Sequence, residues 1–549
     1  MKAKEKAAKE KKIEKTLPSI ALRRSGVLLH PTSLPGPYYN GDLGEEAYAF
    51  ADFLADSGQS WWQMLPINPV GPGDSPYATV STFACEELLI NLENLVKKGF
   101  LKKTELKKPH VKDPSQVDYK AARSFRGRIL RLAYERAKTN GFFESSEEWR
   151  LFCERHAFWL PDYTLFQALS QKFNTNIWAL WPPEYGKRDP STIDAERCAL
   201  RDDIRFLEFT QFLFDRDWFA FKTYCNSKGI GLIGDLPIFV ASESADVWSN
   251  QDLFYLKDDG FPSVVAGVPP DYFNPDGQHW GNALYKWTTM RARNYAWWIE
   301  RLKRQLLLFD ACRLDHFIGF YRYWEIPSDA KSAKQGRWVE GPREDFFQVA
   351  EKILGPLPVV AEDLGLVTPE IWALRDQFNY PGMRVLQFAF GEDGYHIPFN
   401  FTKNFVVYTG THDNPPMLAW YDALRGDVLK RKSSQGRTKK TKKEKGALSV
   451  PPDQDKARAA FEHLHTYLDL PLTASAKDIC HTLIRDAMAS VANMAIFPIQ
   501  DILGLGKNAR MNTPGTPAGN WRWRLPQEWL KSKLSEDLNK LTKACGRLS

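Results

Sequence analysis

Three carboxylates stand where an apolar run gives way to a loop: Asp315 in FDACRLDH, Glu362 in LPVVAEDLG and Asp413 in NFVVYTGTHD. A rigid strand can fix the aim of a charged group at its end. Two such carboxyl groups suit acetal cleavage, in which a carboxylate attacks the anomeric carbon and a carboxylic acid protonates the leaving oxygen. A third anion can support an oxocarbenium-like transition state. Alternate residues of a strand share a side, so Arg313 and Asp315 should project together, with Leu314 facing the outer helices. A guanidinium there keeps Asp315 ionised and aimed. Glu362 has the opposite requirement. It must hold a proton near neutral pH, and two nearby carboxylates are expected to raise its pKa by repulsion. His316 and His412 each adjoin one of the acids and can donate hydrogen bonds to hydroxyl groups. Taken singly, each acid serves equally well as a helix cap or ion-pair partner, and each histidine as a structural residue. Spacing alone leaves aldolase-type and metal-dependent chemistry open.

The elements that must position these groups are eight apolar runs rich in Val, Ile, Leu and Phe. They are SGVLLH (25–30), SWWQMLP (60–66), GLIGDLPIFV (231–240), FDACRLDH (309–316), LPVVAEDLG (357–365), MRVLQFAF (383–390), NFVVYTGTHD (404–413) and MAIFPIQD (494–501). Such runs read as strands buried on both faces, and helical patterns such as NYAWWIERLKRQLLL lie between several of them. The alternation predicts an α/β fold, a (β/α)8 TIM barrel. The long gap between the second and third runs has helical spacing of aromatics and predicts a large, mainly helical insertion between strands 2 and 3. The expected organisation is a basic extension over 1–20, a catalytic barrel over 21–96 and 227–530, and the inserted helical subdomain over 97–226. A basic mobile loop is expected over 425–455 within the barrel, and a helical tail over 531–549.

Composition narrows the class. The chain has 549 residues, and no apolar run is long enough to span a bilayer. Its first residues carry charge without an apolar segment, so no secretory signal is expected and a cytoplasmic location is the default. Seven cysteines without a CxxC pair predict reduced thiols rather than a disulfide framework or zinc site. The formal charge of +7 is concentrated in residues 1–15 and 430–446, with no recognition helix or RNP-like signature, so a nucleic-acid partner is not expected.

Longer blocks carry a resemblance. SGVLLHPTSLPGPY, WWQMLPINPVGPGDSPY, GDLPIFV, AGVPPDYFNPDGQHWGNALYKW, RLDHFIGF, VVAEDLGLVTPE, YTGTHDN and IQDILGLGKNARMNTPGT, between residues 23 and 530, resemble the amylomaltases, or 4-α-glucanotransferases. The resemblance implies a retaining, double-displacement enzyme without metal or organic cofactor, acting on α-1,4-glucans and malto-oligosaccharides, with glucose as an acceptor. It assigns Asp315 as nucleophile, Glu362 as general acid/base and Asp413 as transition-state stabiliser. Arg313 and His412 match supporting residues, and Asp235 of GDLPI a further acid near the cleaved bond. Ser75 and Tyr77 of SPY match a sugar platform, Gln278 and Trp280 of GQHWG acceptor-side contacts, and Asn512 of RMN another sugar contact. His316 is added here as a hydroxyl-binding residue, and 266–273 resembles a loop that arches over the glucan. The chain departs from the usual pattern at Pro415-Pro416, at Cys85-Glu86, in SLPGPYYNGDLG and in the 425–455 insertion. Two readings compete: a hydrolase that uses water, and a glucan-binding protein without catalysis.

Overall fold

The structure is a computed structural model that describes residues 18–71, 73–270, 275–391, 394–429, 454–516, 518–529 and 532–548. All eight apolar runs form strands: β1 (Arg24–Leu28), β2 (Trp61–Gln63), β3 (Gly231–Pro237), β6 (Ala311–Asp315), β9 (Val359–Ala361), β10 (Gly382–Val385), β11 (Phe405–Tyr408) and β12 (Met494–Pro498). They close into a parallel barrel in the order β1-β12-β11-β10-β9-β6-β3-β2. Each strand is shorter than its apolar run. In MRVLQFAF the strand stops at Val385, and Leu386–Phe388 turn into a 3-10 helix that starts the loop at the barrel mouth.

Packing explains the strand composition. All seven residues of β3 are buried, with the barrel interior on one side and helices on the other. Gly234 is required there, because a Cβ would stand 2.3 Å from Gln305 Nε2 and from Phe309. That close approach seats helix Ala296–Leu308 against the strand that carries Asp235.

Between β2 and β3 lie the helices Leu92–Lys97, Tyr119–Thr139, Glu147–Arg155, Leu160–Phe173, Pro190–Ala199 and Arg201–Ser227. The last of these packs on β3 and on the helices Glu45–Asp56 and Ala296–Leu308. It also packs on the helix Leu160–Phe173, and so joins the helices between β2 and β3 to the outer ring of the barrel. The sequence gives no sign of a second sheet: β4 (Val264–Val268), β5 (Gln278–Ala283), β7 (Arg322–Pro327) and β8 (Arg337–Glu340) pair antiparallel in the order β5-β4-β7-β8. These strands occupy the loops after β3 and β6, beside the barrel mouth.

Most of the two basic segments, at 1–17 and 430–453, and residues 271–273 of the expected arching loop lie outside the described residues. Residues 425–429 and 454–455 are helical rather than part of a loop, in Met417–Leu429 and Gln454–Leu468. Residues 264–268 belong to β4. Among the described residues no helix is long and apolar enough to cross a membrane.

Candidate active site

Three adjacent barrel strands, β3, β6 and β9, bring Asp235, Arg313, Asp315 and Glu362 together. Register places Asp235 opposite Arg313. Arg313 Nη1 lies 2.8 Å from Asp235 Oδ1 and 2.8 Å from Asp315 Oδ1, so the side chains at 313 and 315 do project together. Burial works against the Arg313 charge, but Asp235 and then Asp315 outweigh it and hold its pKa well above the usual value. Asp315 keeps 25% of its side chain exposed, enough to meet a ligand.

Glu362 is locked onto the segment that carries Asp315. Its backbone N–H donates to Leu314 O at 3.1 Å, and its Oε2 accepts from His316 N at 2.8 Å. Asp315 therefore sits between two residues that are each bonded to Glu362. The turn puts His316 in the left-handed region at φ 51°, a conformation uncommon for a residue with a Cβ. Burial pushes the Glu362 carboxyl up to about 8, Arg313 pulls the other way, and Asp315 adds to the rise. Repulsion is thus the smaller cause, because the group is almost wholly buried. The second acid acting on it is its neighbour Asp363 rather than Asp413. Asp363 is buried, accepts from Met383 N at 2.7 Å, and pairs with Arg375, which fixes the chain immediately after Glu362.

Asp413 stands across the mouth, on the loop after β11, with 46% of its side chain exposed. Asn512 Nδ2 donates to its Oδ1 at 2.6 Å, and His412 Nε2 lies 3.4 Å from the same oxygen. Tyr77 links this side to the first. Its ring stacks on His412 with centroids 5.0 Å apart, and its hydroxyl donates to Asp235 Oδ2 at 2.6 Å. A continuous polar chain therefore runs from Asp315 through Arg313, Asp235, Tyr77 and His412 to Asp413 and Asn512, with Glu362 bonded to the backbone on either side of Asp315.

The remaining expected residues lie at the edges. Ser75 Oγ accepts from Tyr77 N at 3.3 Å and shapes that turn. Gln278 and Trp280 belong to β5 in the second sheet, and Gln278 Oε1 accepts from Trp280 Nε1 at 3.2 Å. Trp280, 38% exposed, packs edge-on against His316, the residue next to Asp315, with centroids 4.9 Å apart. Burial lowers the His316 pKa to about 4, so its ring is neutral near pH 7, and its buried Nε2 has no hydrogen-bond partner among the described residues.

Two residues at strand ends carry the same signal and are absent from the sequence-derived set. His30 ends SGVLLH; it is buried, and its pKa is lowered to about 3 by burial and then by His412. Asp501 ends MAIFPIQD and is buried beneath the Asp413 loop. Among the described residues no group of three or more His, Cys, Asp or Glu is arranged to hold a metal ion.

A closed parallel barrel with carboxylates gathered at the C-terminal strand ends defines a (β/α)8-barrel enzyme. The family model described as 4-alpha-glucanotransferase matches residues 29–530, and the chain belongs to that family. It is 42% identical to the 4-alpha-glucanotransferase of Synechocystis sp. over 530 residues, covering 96% of this chain and 98% of the relative. It is also 42% identical to the 4-alpha-glucanotransferase of Thermus thermophilus over 535 residues, covering 96% and 99%. Among solved structures, the amylomaltase from Streptococcus agalactiae in complex with acarbose superposes with a TM-score of 0.84 at 33% identity, covering 96% of this chain and all of that one.

Proposed function

We propose that the chain is a retaining 4-α-glucanotransferase that moves maltodextrin segments between α-1,4-glucans through a covalent glucosyl-enzyme on Asp315. The observation that carries this reading is the contrast between two neighbouring carboxyl groups. Glu362 is desolvated and raised to about 8, whereas Asp315 is partly exposed and paired with Arg313. Environments that separate two acids in this way assign one as proton donor and the other as nucleophile.

In this mechanism a maltodextrin lies across the barrel mouth. Asp315 attacks the anomeric carbon while Glu362 gives its proton to the leaving oxygen. The reducing-end fragment departs, and its glycosidic bond is replaced by a bond to Asp315. Glu362, now a carboxylate, takes the proton of the 4-hydroxyl of glucose or of another glucan. That oxygen then displaces Asp315 with net retention. Asp413 stabilises the oxocarbenium-like charge of both steps. Tyr77 and Trp280 cover sugar faces, and Ser75, Asp235, Gln278, His316, His412 and Asn512 bind hydroxyl rims. All seven cysteines are free, in keeping with a cytoplasmic location.

Incubation with pure maltotriose tests the reading. Glucose together with oligomers longer than the substrate is the expected product set. Products no longer than maltotriose would mean that water is the acceptor and that the enzyme is a hydrolase. Asp315→Asn is expected to lose about 10³-fold or more in kcat. Parent-level activity in that variant would remove Asp315 from the mechanism.

A further inference from the structure

The three acids reach the site by unequal means. Asp315 closes β6 and Glu362 follows β9 directly, but Asp413 stands five residues beyond Tyr408, the last residue of β11. A side chain that far along a loop is placed only as well as the loop is held. Within the loop, Asn414 Oδ1 accepts from Thr411 N at 2.9 Å, and Gln387 Nε2 donates to Pro415 O at 2.9 Å. Arg510 Nη2 donates to Asp413 O at 2.9 Å. These bonds shape the loop but do not close its neck.

The neck is closed by Asp501, from the short helix Ile499–Ile502 that follows β12. Its Oδ2 accepts from Thr409 Oγ1 at 2.5 Å, and its Oδ1 accepts from Met417 N at 2.6 Å. Thr409 and Met417 each lie four residues from Asp413, one on either side. Met417 also opens the helix Met417–Leu429, so the bond satisfies a donor at that helix start. Asp501 is 2% exposed, and among the described residues it forms no ion pair. Burial pushes its carboxyl up to about 6, with the Thr409 and Met417 bonds pulling the other way. A buried carboxylate without a cation weighs against folding. Stability alone therefore does not account for it, whereas holding both ends of one loop does.

We propose that Asp501 is a positioning residue for the reaction: by binding both ends of the 409–417 loop, it sets where the Asp413 carboxylate stands relative to Asp315 and Glu362. The proposal rests on the reading of Asp413 as the transition-state anion.

A double-mutant cycle on the full chain separates the two ideas. Rates are measured with maltotriose and with an activated maltosyl fluoride, so that slow variants can be read. Asp501→Ala is expected to lower kcat about 30-fold while KM stays within about 3-fold, since a small misplacement of a catalytic group acts on the chemical step. Asp501→Asn keeps an acceptor for Met417 N–H and is expected to recover to within about 5-fold of the parent. In the Asp413→Asn background, adding Asp501→Ala should cost less than about 2-fold, because no carboxylate remains to be placed. Parent-level kcat for Asp501→Ala, or an equal loss in both backgrounds, overturns the proposal. Parent-level activity of Asp413→Asn overturns the reading of Asp413 instead. If Asp501→Ala does not fold, Thr409→Val takes its place in the cycle. That variant removes one of the two bonds and should lose about 5-fold, with the loss vanishing beside Asp413→Asn; parent-level kcat there also overturns the proposal.

Discussion

Glu362 keeps a proton at pH values where an exposed glutamate has lost it, and burial is the main reason. Two measurements follow from that. With Glu362 as the proposed proton donor, the kcat/KM of the parent should fall as pH rises through about 8, where the free enzyme loses that proton. The second concerns stability. The unfolded side chain ionises near 4.5 and the folded one near 8, so the fold binds a proton that the unfolded chain has lost between those values. The stabilising contribution of the protonated group is full below about 4.5 and is lost as pH rises through about 8. Glu362→Gln, which is permanently neutral, should therefore melt about 1–3 °C above the parent at pH 9 and level with it at pH 4. A variant that melts lower at pH 9 would mean that the carboxylate is better accommodated than its burial implies.

At the scale of elements, the backbone ladder that closes the barrel between β1 and β12 is braced by a side chain from beyond its last strand. Arg547 is fully buried, and its guanidinium donates to Met488 O at 2.7 Å, Arg24 O at 2.8 Å and Asn493 O at 3.1 Å. Arg24 opens β1 and Asn493 precedes β12, so one cation ties the seam where the first and last strands meet. Arg547→Ala should cost about 3 kcal/mol in urea unfolding, with kcat per folded molecule unchanged. The barrel strands were legible because strands buried on both faces must be apolar runs, as LIGDLPIFV is. The β5-β4-β7-β8 sheet was not, because QHWGNA and RYWEIP show no apolar alternation and the β4–β7 pairing joins segments on opposite sides of β6 in the chain. Within the site, the side-by-side placement of Arg313 and Asp315 follows from the strand period alone. The bond from Tyr77 to Asp235 spans 158 residues, and the burial that raises Glu362 arises from packing, so neither can be read locally.

At the scale of the molecule, the inserted helices join the barrel through a buried polar cluster. Asp215, on helix Arg201–Ser227, lies 2.9 Å from Arg304 Nη2 and 3.2 Å from His156 Nε2. Trp159 Nε1 donates to His156 Nδ1 at 3.3 Å, which assigns the remaining ring proton to Nε2, facing Asp215. Arg304 also donates to Phe83 O at 3.2 Å, on the stretch between β2 and the insertion. Asp215→Ala leaves a buried guanidinium without its anion and should cost about 3–5 kcal/mol. Limited proteolysis should then cut first within the inserted helices. Cleavage unchanged from the parent would mean that the apolar contacts suffice to hold the insertion.

Trp280 and Gln278 ride on a sheet whose own small apolar cluster, Val265, Ile326 and Ala333, is separate from the main core. Ala266, Ala283 and Tyr323 of the same sheet belong to the main core, so the small cluster is all that backs the part of the sheet facing away from the barrel, and that part should open before the barrel does. In hydrogen exchange the amides of β5 should therefore trade protons well before those of β3. A sugar bound against Trp280 would slow that exchange, and part of its binding energy would go into quieting the sheet. With Trp280 and Gln278 as the proposed acceptor contacts, grip on the incoming sugar would then fade with mild denaturant or warming while the proposed pair Asp315 and Glu362 still stand in place, so that transfer to sugar gives way to transfer to water before the enzyme unfolds.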